Sequence, residues 1–131
     1  MTPPKNTKVY DWKNSTFWID ENGILCSVQK KTERLYTVEE AKETIHKFKE
    51  IFGDKKFCFL VDSTNASETA KEVRDYAATE FPKIFKALAY ISSSSLGKML
   101  GNLFFAIKKQ PYPARMFDDE KEAKEWLKQY L

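Results

Sequence analysis

The spacing of apolar and polar positions changes several times along the chain, and each change marks an element. Over residues 16–29, TFWIDENGILCSVQ, apolar residues alternate on either side of Asn22-Gly23. Asn-Gly accepts the positive φ values of a type I′ turn, so the stretch predicts a β-hairpin with Ile24, Cys26 and Val28 on one face. At YTVEEAKETIHKFKEIFG the period shifts to that of a helix: Ala41, Ile45, Phe48 and Phe52 fall on one stripe. Thr37 and Glu40 have the spacing of a capping box, and Gly53 is a natural stop.

KFCFLVD is a short continuous apolar run ending in Asp62, the pattern of a strand buried on both faces. ASETAKEVRDYAATEF is helical again, and Pro82 is expected to open a separate short turn. KALAYISS reads as a second buried strand, SLGKMLGNLFFAIKK as a strongly apolar helix and YPARMF as a last short strand. In the closing DDEKEAKEWLKQYL helix Asp118 or Asp119 caps, acidic residues crowd the N-terminus, and Ala123, Trp126 and Leu127 face inward.

The predicted order is ββαβαβαβα. Strands alternating with helices imply parallel crossovers, so the expectation is one α/β domain over residues 15–131 with a polar arm at 1–14. Its single mixed sheet would have about five strands, an N-terminal hairpin and then βα units, with four helices. The 131 residues suffice for one core, and ten Phe, six Tyr and three Trp argue against disorder.

This order, together with PARMFDDEKEAKEWLKQYL and FCFLVDSTNAS, resembles the SpoIIAA-like branch of the STAS superfamily, small bacterial STAS-domain-containing proteins in particular. The resemblance covers roughly residues 16–131. It implies one of two binding roles. Anti-sigma-factor antagonists engage a regulatory protein partner and are switched by phosphorylation of a Ser at a helix N-terminus after the third strand. The related CRAL-TRIO-like fold shelters a lipid or another small apolar ligand beneath a movable helix. The chain departs from the antagonist pattern, because Asp62-Ser63-Thr64 ends the strand directly and no Gly opens the following helix. Ser67 is the nearest counterpart of the phosphorylated Ser; Glu68 and Glu72 would repel a phosphate there, although the helix dipole favours it.

The residues themselves point the same way, to binding and not catalysis. The single histidine, His46, lies off the apolar stripe of its helix, and no Ser-His or Cys-His arrangement follows from it. Cys26 and Cys58 sit in strand-like contexts without metal-ligand spacing, and no cofactor is implied. Asp62 and Ser63 end a central strand, where ligands of open α/β sheets gather; capping of the turn explains them as well. Gly97-Lys98 lacks the upstream Gly and following hydroxyl of a P-loop, and Ser94 or Ser95 serves simply as an N-cap. In the 95–107 helix a broad stripe including Met99, Leu103 and Phe104 faces the core or a ligand, while Phe105 falls on the opposite face. With the shallow groove at Gly97 and Gly101, Phe105 marks an expected homodimer or partner interface.

Charge adds exclusions. A net +3, from 22 basic and 19 acidic residues that alternate along the chain, offers no basic face for nucleic acid. No apolar run approaches the ~18 residues that span a bilayer, and the 95–107 helix has too few cations for stable membrane association. The N-terminus lacks a signal-peptide core, and the expected location is cytoplasmic.

Overall fold

Residues 1–31, 36–65, 70–92 and 111–131 are described by the structure, a computed structural model. The elements in chain order are β1 (Tyr10–Asp11), β2 (Ser15–Ile19), β3 (Leu25–Gln29), α1 (Val38–Phe52), β4 (Phe57–Asp62), α2 (Lys71–Ile84), β5 (Phe85–Ile91), β6 (Ala114–Phe117) and α3 (Glu120–Lys128). They form one mixed six-stranded sheet in sequential order, β1 through β6. The first two pairings are antiparallel and the last three parallel. The expected count of about five strands is therefore one short. Three helices stand among the described residues, and the fourth expected helix, 95–107, lies outside them.

The extra strand comes from the N-terminal arm. Two residues leave no periodic signature, so β1 is set by its aromatic neighbours. The Tyr10 ring stacks on Phe17 at 5.0 Å, and Trp12 Nε1 donates to Thr44 Oγ1 at 3.2 Å. The hairpin is present, but its turn differs from the expected type I′. Only Gly23 has a positive φ, of 82°, in the loop between β2 and β3. Gly23 N donates to Asp20 O and Asp20 N to Ile24 O, and the Asp20 carboxylate takes the place that a two-residue turn would have filled.

Thr37 caps α1 as expected, and its hydroxyl also donates to Glu40 Oε1 at 3.1 Å. Thr37 Oγ1 accepts from Glu40 N at 3.1 Å, and Gly53, at φ 65°, closes the helix through its N–H to Lys49 O. Pro82 does not end α2, which runs through it to Ile84. A proline in the last turn forfeits a single backbone hydrogen bond, and the aromatic contact of Phe81 with Phe85 at 4.7 Å holds the turn against the sheet.

Because β3, β4 and β5 follow in sequential order, right-handed crossovers through α1 and α2 advance the same way and place both helices on one face. Phe17, Leu25, Ile45, Phe48, Phe57, Phe59, Phe85 and Leu88 form the core there. Phe85 and Leu88, three apart, share that face because a bulge opposite Phe57/Cys58 turns Lys86 outward. The second face, with Trp18, Cys26, Cys58, Leu60 and Ala89, is covered by Ala123 and Leu127 of α3. Asp119 caps α3, accepting from Glu122 N at 2.8 Å. No helix of the described residues is long and apolar enough to cross a membrane.

Candidate functional site

The carboxyl ends of β4, β5 and β6 lie side by side and meet the N-terminus of α3. Between them is an open recess of about 170 Å³, lined by Met1, Asp62, Thr64, Ile91, Ser92, Asp118, Asp119 and Glu120. Asp62 reaches it by strand alternation: with Cys58 and Leu60 it points to the α3 side. Its Oδ1 accepts from Thr64 N at 3.0 Å and Thr64 Oγ1 at 2.6 Å, which closes the turn after β4. Its Oδ2 lies 3.7 Å from the Met1 ammonium. Asp119 and Glu120 belong here for a local reason, since acidic residues are favoured at a helix N-terminus.

Among the described residues the lining therefore carries four carboxylates and one ammonium. Such a recess attracts cationic groups and repels phosphate or carboxylate. Glu120 links it to the rest of the fold: its Oε1 pairs with Lys124 Nζ at 3.2 Å, and Lys124 pairs with the buried Asp20 Oδ2 at 3.1 Å. Burial lowers the Lys124 ammonium, but Asp20, Cys26 and Glu120 together outweigh it and the net shift is upward.

Ser63, expected beside Asp62, is carried to the other face by the same alternation. It is fully buried, its N–H and Oγ both donating to Ile91 O at 2.8 and 3.1 Å. Burial pushes the neighbouring Tyr90 phenol up, and a hydrogen bond to Ser63 opposes that. The structure does not bring Asp62 and Ser63 together. On the Ser63 side Ser27 is also buried, and the buried Gln29 Oε1 accepts no hydrogen bond among the described residues. Ser67, Gly97, Met99, Gly101, Leu103, Phe104 and Phe105 lie outside the described residues.

His46 is 77% exposed beside Glu50. Burial, with Asp20 adding, pushes the Cys26 thiol up to about 12, and burial also raises Cys58. Both thiols stay protonated near neutrality and are poor nucleophiles. Sequence reasoning missed Asp20 and Ser92. Asp20, two residues before Asn22-Gly23, carries the Asx-turn signal that would have found it; a lone buried Ser after a strand carries none.

Comparison with known proteins agrees with this architecture. The crystal structure of an uncharacterised protein from the DUF3478 family with a SpoIIAA-like fold, from Shewanella loihica PV-4, matches with a TM-score of 0.54. The match covers 97% of this chain and 98% of that one at 16% sequence identity, a level that speaks for the fold alone. No curated protein matches the chain. The resemblance to SpoIIAA-like proteins thus holds for the fold, and the fold alone does not carry membership of the STAS-domain proteins. A family profile, Domain of unknown function (DUF7793), matches residues 17–131, and the protein belongs to that family.

Proposed function

We propose that the chain works by binding and not by catalysis, as a regulatory or protein-interaction module of the SpoIIAA-like type. The observation that carries this reading is the acidic recess at the ends of β4, β5 and β6, to which Asp62, Asp118, Asp119 and Glu120 contribute their carboxylates. A partner that presents a Lys or Arg side chain finds complementary charge there, at the end of β4 and the N-terminus of α3 instead of on a long loop. The contact is open to water, so its contribution falls with salt.

The test is capture of partners from native cell extract by the parent chain and by Asp62→Asn with Asp118→Asn. Both substitutions keep side-chain shape and acceptor oxygens while removing charge. A partner held by the parent at low salt and lost by the variant, with an unchanged thermal transition, is expected. Equal capture by both proteins sinks the reading. Self-association through Gly97, Gly101 and Phe105 belongs to the same proposal. It is read by mass in solution, where Phe105→Glu should halve the mass of a dimer.

A second reading, carriage of a small apolar ligand by Met99, Leu103 and Phe104, has one observation in its favour. Gln29 Oε1 is buried on the α1/α2 face without a hydrogen-bond partner among the described residues. An orphaned acceptor costs about 1–3 kcal/mol, which a donor on a bound ligand would recover. Native mass spectrometry of protein from its own cell reports a retained ligand directly.

A further inference from the structure

We propose that Asn22 is a latent deamidation site that Asp20 keeps shut while the chain is folded. Asn22 is exposed, and Gly23 has no side chain to hinder approach to its amide nitrogen. In the reaction Gly23 N bonds to Asn22 Cγ and gives up its proton, and the Cγ–Nδ2 bond breaks with release of ammonia. Water then opens the resulting succinimide at either carbonyl, leaving aspartate or isoaspartate at position 22. The step needs the Asn22–Gly23 peptide to swing onto the Asn22 side chain.

In the fold it is held from both ends. Three consecutive amides donate to one residue: Asn22 N and Ile24 N to Asp20 Oδ1, each at 2.9 Å, and Gly23 N to Asp20 O at 3.1 Å. Asp20 N donates in turn to Ile24 O at 3.0 Å. The Asp20 side chain cannot drift, because it is fully buried and its Oδ2 lies 3.1 Å from Lys124 Nζ. The nucleophile is thus engaged through its own N–H, and the torsions on both sides of it are fixed.

Unfolding removes every one of these contacts at once, and the pair then reacts as it would in a free peptide. The isoaspartyl product routes the backbone through the side-chain carbon and lengthens the loop. Such a loop cannot restore both the Asp20–Ile24 bond and the two contacts to Oδ1. Prolonged unfolding therefore leaves a covalent mark that hinders return to the native hairpin.

The experiment incubates the full chain at mildly alkaline pH, once folded and once in unfolding guanidinium, and measures aspartate and isoaspartate at position 22 by peptide mass spectrometry. The folded chain should react at least roughly tenfold more slowly, the factor for freeing one hydrogen bond of this strength. Equal rates in the two conditions overturn the proposal without recourse to any variant. Asp20→Asn, folded by circular dichroism, should deamidate at position 22 several-fold faster than the parent under native conditions. A folded Asp20→Asn chain that reacts at the parental rate would also overturn it, since the Asp20 clamp would then not be the cause.

Discussion

Replacing Asp20 by Ala should be among the most destabilising single changes outside the apolar core. The substitution removes the acceptor shared by Asn22 N and Ile24 N, the latter buried, and leaves the Lys124 ammonium without its 3.1 Å partner. Hydrogen bonds to a charged group contribute about 1.5–3 kcal/mol each, and breaking one side of a buried ion pair costs about 3–5 kcal/mol. These figures overlap, because one carboxylate makes both kinds of contact. Two effects reduce the sum. The aspartate no longer has to be desolvated, and Lys124, whose side chain is 20% exposed, retains Glu120 at 3.2 Å. The net loss is about 3 kcal/mol. With a urea slope of about 2 kcal/mol per molar, the midpoint falls by about 1.5 M. Fluorescence of Trp18, buried beside Cys26 in the adjacent strand, reports the transition. Asp20→Asn keeps an acceptor oxygen and should recover about half of the loss. A midpoint shift below about 0.3 M at unchanged slope would refute the reasoning, because Asp20 would then be a passive turn residue.

Phe85, 1% exposed and in ring contact with Phe57, Phe59, Phe81 and Tyr112, joins both halves of the α1/α2 core, so Phe85→Ala should cost about 3–5 kcal/mol in urea unfolding. A loss under about 1 kcal/mol would mean that the site collapses freely. Alkali should destabilise the fold through Cys26, whose thiol ionises near its ordinary 9.0 when unfolded but only at about 12 when folded. Between those values the unfolded chain binds fewer protons than the native one, so stability falls as pH rises, by up to about 1.4 kcal/mol per pH unit. Cys26→Ala should flatten that slope measured by urea midpoints, and an unchanged slope would remove Cys26 as its source.

Most of the element order was legible because it is written in local periodicity. The 3.6-residue stripe of Ala41, Ile45 and Phe48, with Thr37 before it and Gly53 after it, specifies α1 wherever the chain is placed. The continuous apolar run from Phe57 to Val61 likewise specifies a strand covered on both faces. Pro82 shows the limit of such reasoning. Its local tendency to end a helix is overridden by packing of the last turn against the sheet.

The site was less legible, for a reason of dimension. Sequence adjacency made Asp62 and Ser63 a pair, but a strand sends consecutive side chains to opposite faces and separated them. Asp62 joined Asp118, Asp119 and Glu120, more than fifty residues on, only because β4, β5 and β6 lie side by side in parallel and end together. Local pattern in the sequence determined that segments such as α1 and β4 become helix and strand, and which stripe of α1 is apolar. The tertiary structure alone decided that β1 pairs, that Asp20 is buried against Lys124, and which carboxylates share a recess. Those outcomes depend on distances between residues far apart in the chain, and no local pattern encodes them.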